Sequence, residues 1–218
     1  MPAFSVTAWQ MRRMKDSFDT DSILYAPGRG NDMSVLSDFR EELFRSGKSL
    51  RTIPFLYDKG SFNPRKLLSL VPSHYPWWIG ISLGASLLWM LASYSDCACR
   101  PQRLTLINPF ADRARLSSER GFSLEGQWNF APINHKLCLQ HIDIVLSVHD
   151  EAISAAHGLE LLMAVKACVK ELIIIDGDHR ITNTATQREL ARLLIREKVN
   201  RNDDNQHCHI YQWRRDIQ

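Results

Sequence analysis

The stretch Trp77-Trp78-Ile79-Gly80-Ile81-Ser82-Leu83-Gly84-Ala85-Ser86-Leu87-Leu88-Trp89-Met90-Leu91-Ala92 decides how this chain is read. Its first five residues are aromatic, β-branched or glycine, a composition that suits a buried strand. Of its last eight, all but Ser86 are apolar, with leucine and alanine prominent, which suits a buried helix. Between them lies Gly80-Ile81-Ser82-Leu83-Gly84, a serine at a strand-to-helix turn with glycine two residues to either side. A side chain on so sharp a turn takes unfavourable backbone angles, and its neighbours must be small for strand and helix to approach. The turn would expose the Ser82 hydroxyl at the C-terminal edge of the strand. It would also set the Leu83 N–H at a helix N-terminus, where it can donate to a developing oxyanion.

A serine hydroxyl is a poor nucleophile at neutral pH, so a histidine must take its proton and a carboxylate must orient that histidine. Two later segments pair an apolar run with such groups. Ile142-Asp143-Ile144-Val145-Leu146-Ser147-Val148-His149-Asp150 reads as a strand ending in an acid, and Leu172-Ile173-Ile174-Ile175-Asp176-Gly177-Asp178-His179 as one ending in a histidine. Further strands are expected at Ser22 to Ala26, Arg51 to Tyr57 and Arg103 to Ile107. Apolar residues recur at helical spacing over Ser34 to Arg45, Ile153 to Val169 and Thr184 to Glu197. Short apolar runs alternating with amphipathic ones predict an α/β domain, with a mainly parallel central sheet of about six strands flanked by about five helices. Residues 1–218 are expected to form a single domain, since 218 residues with 44% hydrophobic content can bury one sizeable core. Residues 111–140 break the rhythm and carry Phe122, Trp128, Phe130 and Pro132, which suggests a small lid-like insertion.

Composition narrows the function classes. A net charge of +3 with no basic block gives no reason to expect nucleic acid as a partner. The basic residues Arg196, Lys198, Arg201, Arg214 and Arg215 are interrupted by Glu197, Asp203 and Asp204, and predict a solvated terminal helix and tail. The first twenty residues hold Arg12, Arg13 and Lys15 without a following apolar run, so no signal peptide is expected. The Trp77 to Ala92 window is shorter than the roughly 20 residues of a membrane span. Five cysteines, an odd number, fit free thiols in a reducing compartment, and a cytoplasmic location is expected. No cofactor or metal is expected. Cys97-Ala98-Cys99 and His207-Cys208-His209 lack zinc-ligand spacing, and no phosphate-cradling glycine pattern occurs.

The serine turn, the Ser147-Val148-His149-Asp150-Glu151 segment and Gly177-Asp178-His179 together resemble the α/β-hydrolase superfamily, from about Ser22 to about Glu197. That family places its triad in the order serine, acid, histidine, each after a strand. The resemblance implies Ser82 as nucleophile, Asp150 as acid and His179 as base, with Glu151 the fallback acid. Asp143 lies within a strand, and Asp176 and Asp178 are too near His179 in sequence to reach its far nitrogen comfortably. His149 precedes the final strand, and His74, His135, His141 and His157 follow no comparable strand end. The family's second oxyanion donor comes from a loop after an early strand, here Ala26-Pro27-Gly28-Arg29-Gly30-Asn31-Asp32, with Pro27 where histidine is commonest; the donor is assigned to the Arg29 N–H.

The implied activity is hydrolysis of a carboxylic ester or thioester through an acyl-enzyme, the acyl group lying against Trp128 and Phe130. Acyl chains carried on coenzyme A or acyl carrier protein are conceivable substrates. Acyl transfer with the same triad, or a non-catalytic binding protein of the same fold, are the alternatives.

Overall fold

The computed structural model describes residues 21–28, 36–53, 75–94, 100–121, 137–195 and 211–216. Their elements run β1 (Ser22–Ala26), α1 (Ser37–Arg45), β2 (Ser49–Thr52), β3 (Trp77–Ile81), α2 (Leu83–Tyr94), β4 (Arg103–Ile107), α3 (Arg113–Arg120), β5 (Cys138–His149), α4 (Ala155–Ala164), β6 (Lys166–Asp178), α5 (Thr184–Ile195) and β7 (Tyr211–Asp216). One sheet joins them in the order β2-β1-β3-β4-β5-β6-β7. The first six strands are parallel, and β7 is antiparallel to β6.

The alternation of side chains along each strand supplies both faces of the sheet with apolar groups. Leu24, Trp78, Leu104, Leu106, Ile142, Ile144 and Leu146 pack with α2 and α4 residues such as Leu87, Leu88, Leu91 and Leu161. Ile23, Tyr25, Trp77, Ile79, Ile107, Val145, Ile173 and Ile175 pack on the other face with Phe39 and Leu43 of α1 and Leu190 and Leu194 of α5. Helix α2, apolar on all sides, is buried from Gly84 to Ala92.

β1, β3 and β4 have the boundaries read from the sequence. Other elements differ. The expected helix over 153–169 ends at Ala164, and Lys166 already begins β6, pairing in parallel with Cys138. The apolar residues Val165, Ala167 and Val169 continue the helical spacing of α4, but they also alternate, and sheet pairing fixes the period-2 reading. The same pairing starts β5 at Cys138, four residues before the expected Ile142, while α3 occupies Arg113–Arg120 in the segment expected as an insertion. β2 covers Ser49–Thr52, not Arg51 to Tyr57, and residues 54–57 lie outside the described ones. The solvated terminal helix and tail expected at the C-terminus is corrected by β7, whose Tyr-Gln-Trp alternation suits a strand and which covers the edge of β6. No helix among the described residues is long and apolar enough to cross a membrane.

Candidate active site

Ser82 follows β3 directly and opens α2. Its φ is +53°, the left-handed region that a residue with a side chain enters only at a cost. Two hydrogen bonds hold it there: Ser82 N–H donates to the Ile107 carbonyl at 2.8 Å, and Ser86 N–H donates to the Ser82 carbonyl at 3.1 Å. The flanking glycines are required by space. A Cβ on Gly80 would stand 2.6 Å from Ala85 Cα, and one on Gly84 would stand 2.6 Å from the Ala26 carbonyl carbon, hard against the carbonyl oxygens of Ala26 and Pro27. Gly84 thus lets the β1 exit run across the start of α2. Gly28, at the end of that exit, faces Ser82, since a Cβ there would lie 3.5 Å from Ser82 Cβ.

Asp150 and His179 follow β5 and β6. His179 Nε2 lies 2.9 Å from Ser82 Oγ, and its Nδ1 lies 2.8 Å from Asp150 Oδ2. A carboxylate can only accept, so Nδ1 carries the proton and donates to Asp150, leaving Nε2 to accept from the serine hydroxyl. The other Asp150 oxygen, Oδ1, accepts from the Ala152 and Ile153 N–H groups at 2.8 Å each, which fixes the carboxylate plane. The Asp150 side chain is 5% exposed and His179 24%, an arrangement in which the ring reaches solvent and its acid does not.

The structure separates these residues from their rivals. Glu151 is exposed, and α4 begins at Ala155 after its Ser154 cap, two residues beyond the start expected at Ile153. Asp178 accepts from Thr182 N–H at 2.8 Å and Thr182 Oγ1 at 3.0 Å; burial opposes its ionisation, but those bonds outweigh it and hold its pKa below the ordinary carboxylate value. Asp176 pairs with His149 at 3.2 Å on the surface. His157 is buried, accepting from Ala111 N–H at 3.2 Å and lying 3.1 Å from Glu119. Arg29, Trp128, Phe130, His74 and His135 lie outside the described residues, as do Cys97, Cys99, Cys208 and the two histidines beside it.

A second polar cluster, unread in the sequence, sits toward the opposite end of the strands. Asp143 is fully buried. It accepts from Arg103 Nε at 2.8 Å, Arg103 Nη2 at 3.2 Å and Thr105 Oγ1 at 2.5 Å. His141 Nε2 lies 2.9 Å from Asp143 and 3.7 Å from Glu171. Arg103 also donates to the Leu194 carbonyl at 2.6 Å and stacks 4.4 Å over the Trp77 ring, while Trp77 Nε1 donates to Thr105 at 2.8 Å. Burial disfavours the charge on His141, but Asp143 and Glu171 outweigh it and push its pKa up to about 9. Burial likewise opposes the charge on Asp143, and Arg103 with His141 holds its pKa well below the carboxylate range. Among the described residues, His141, Asp143 and Glu171 are the group whose ligand atoms lie close enough to hold a metal ion. With the guanidinium on both Asp143 oxygens, the group is built as an ion-pair network. Its sequence signal is faint: charged residues at alternate positions in otherwise apolar strands.

No protein-family model matches the sequence, and none of the curated proteins is significantly similar to it. Solved structures are similar in fold. The esterase domain of a Rhodothermus marinus protein matches with a TM-score of 0.59 at 16% identity, covering 82% of this chain and 86% of that one. Alpha/beta hydrolase domain-containing protein 10 from mouse matches with a TM-score of 0.62 at 14% identity, covering 80% and 88%. The thioesterase domain from the curacin biosynthetic pathway matches with a TM-score of 0.52 at 12% identity, covering 81% and 92%. Strand order, the turn after β3 and these likenesses lead to one conclusion: the chain has the α/β-hydrolase fold.

Proposed function

We propose that the chain is a serine hydrolase that cleaves a carboxylic ester or thioester through an acyl-enzyme on Ser82. The observation that carries this reading is the continuous hydrogen-bonded line from Ser82 Oγ through both nitrogens of His179 to Asp150. With substrate bound, His179 Nε2 takes the serine proton as Oγ attacks the carbonyl carbon. The imidazolium that forms is stabilised by Asp150, whose carboxylate is already oriented by two backbone donors. The tetrahedral oxyanion accepts from the Leu83 N–H at the start of α2 and from the Arg29 N–H; the approach of Gly28 to Ser82 supports a donor from that loop. His179 then protonates the leaving alcohol or thiol, activates a water against the acyl-enzyme, and returns the proton to Ser82 as the acid departs.

Trp128 and Phe130, within the 111–140 segment expected as a lid-like insertion, line the acyl pocket in this reading. Acyl groups on coenzyme A or an acyl carrier protein are then suitable substrates, and the exposed free thiols Cys138 and Cys168 suit a reducing, cytoplasmic setting. The same residues serve acyl transfer if an alcohol or amine replaces water, and product analysis with a competing acceptor separates the two.

The test is covalent labelling by a fluorophosphonate together with hydrolysis of short p-nitrophenyl esters. Labelling at Ser82 and loss of both signals in Ser82→Ala are expected. A folded wild-type protein that is not labelled, or a Ser82→Ala variant that still hydrolyses the esters, overturns the proposal.

A further inference from the structure

The three turns that carry Ser82, Asp150 and His179 are not joined to one another by a regular ladder at the level of the site. Parallel pairing of β4 with β5 ends at Ile107 and Val145. Pairing of β5 with β6 runs regularly to Ser147 and Ile175, then shifts register before His149 and Asp178. Asp150 and His179 must nevertheless face each other to within a hydrogen bond.

Asn108 stands at that gap. It follows β4, is 2% exposed, and has φ +47°, a left-handed conformation that asparagine tolerates better than most residues. Its backbone N–H donates to the Val145 carbonyl at 2.9 Å, extending the β4–β5 pairing by one bond. Its side chain makes three more bonds. Oδ1 accepts from the Ser147 N–H at 2.9 Å, and Nδ2 donates to Ser147 Oγ at 2.9 Å and to the backbone carbonyl of His179 at 3.0 Å. The Ser147 carbonyl in turn accepts from the Asp150 N–H at 3.3 Å, closing the turn that presents the acid. The residue preceding Asn108, Ile107, accepts from the Ser82 N–H. The end of β4 is therefore tied to all three turns, two of them through one buried amide.

We propose that Asn108 is a positioning residue: its side-chain amide bridges the acid turn and the histidine turn where the β5–β6 ladder shifts register, and holds the His179 ring between Asp150 and Ser82. This rests on the reading of those three residues as a catalytic triad. A carboxamide suits the task because it offers an acceptor and two donors in one plane, and the partners here are one N–H, one hydroxyl and one carbonyl. Catalytic groups on loops need such support, since a displacement of the order of 1 Å can cost about 100-fold in rate.

Two variants test it. Asn108→Gly keeps the left-handed backbone and removes all three side-chain bonds. Asn108→Asp keeps the shape and the Ser147 N–H acceptor, but sets an oxygen against the His179 carbonyl. Both are expected to lower kcat on p-nitrophenyl esters by roughly 10-fold or more with little change in KM, and to slow fluorophosphonate labelling equally. A downfield proton resonance from the His179 Nδ1–H hydrogen bond is expected in wild type, and it is expected to broaden or vanish in both variants. Thermal unfolding reports whether each variant is folded, and Asn108→Asp decides should Asn108→Gly not fold. Folded variants with wild-type kcat and an unchanged resonance overturn the inference. If wild type is neither labelled nor active, the hydrolase reading fails. The resonance then still decides the role of Asn108.

Discussion

The imidazole of His141 makes the stability of this protein depend on pH in a direction the structure fixes. Its pKa is 6.5 in the unfolded chain and about 9 in the fold, where desolvation is outweighed by Asp143 at 2.9 Å and Glu171 at 3.7 Å, with Arg103 acting against protonation. A group whose folded pKa is raised stabilises fully below its unfolded value and loses that contribution as pH rises through the folded one. The window therefore runs from 6.5 to about 9. At 1.36 kcal/mol per pKa unit the whole rise corresponds to about 3 kcal/mol, and because a quarter of the side chain is exposed, solvent screening brings the usable part to about 1–2 kcal/mol. Urea unfolding of wild type and His141→Gln at a series of pH values from about 6 to 10 measures it, since titrations common to both proteins cancel in the difference. Wild type is expected to exceed the variant most at the acid end, with the excess falling across the window. An excess that is flat across that range, or that grows with pH, refutes the assignment of a protonated His141.

Two further perturbations probe the scaffold of the site. Gly84→Ala forces a methyl group onto the carbonyls of Ala26 and Pro27, which as backbone cannot rotate away; a loss of about 3 kcal/mol or more is expected, read as a fall of about 6–12 °C in Tm, and an unchanged Tm would show that β1 and α2 can separate freely. Gln187→Leu removes a side chain of α5 whose Oε1 accepts from the Asp38 and Phe39 N–H groups and whose Nε2 donates to the Ile181 carbonyl. Because Leu36 provides α1 with no side-chain cap, these buried groups are left unpaired; about 1–3 kcal/mol of stability should be lost in chemical denaturation, and a neutral result would mean water replaces the amide.

What the sequence made legible was whatever local pattern dictates. The turn at Ser82 could be read because strand composition, two glycines and helix composition abut, and the space around Gly80 and Gly84 is the physical reason that they do. Asp150 and His179 could be read because each ends an apolar run. The end of α4 could not, because Val165, Ala167 and Val169 satisfy both a helical and an alternating period until β5 is present to pair with. Neither could Asn108, whose partners lie 39 and 71 residues away and whose own neighbourhood, Leu-Ile-Asn-Pro, reads only as a strand end. Asp143 is a charge within an apolar strand, and only the register that sets it beside Thr105, with Arg103 and His141 one pair away on the same face, explains how that charge is tolerated.

Strand β5 shows how the sheet divides its duties. Its N-terminal half carries His141 and Asp143 into the ion-pair network, where Arg103 ties β4 to β5, to the last turn of α5 and to the Trp77 ring of β3. Its C-terminal end carries Ser147 and, just beyond, Asp150 into the site. Between them run Ile144, Val145 and Leu146, packed alternately on the two faces of the sheet. At about 3.3 Å per residue, Asp143 and Ser147 are separated by roughly 13 Å of such strand. Charge therefore enters the core at one end of β5, where every oxygen of Asp143 is matched by a cation or a hydroxyl. At the other end the side chains that join the strand to the site are the Ser147 hydroxyl bonded to the Asn108 amide and the Asp150 carboxylate held against His179. The strained turn at Ser82 is carried on β3, the strand whose first residue is Trp77. The network holds Trp77, through Arg103 and Thr105, at the start of the strand whose far end presents the serine, so its formal charges lie away from Ser82.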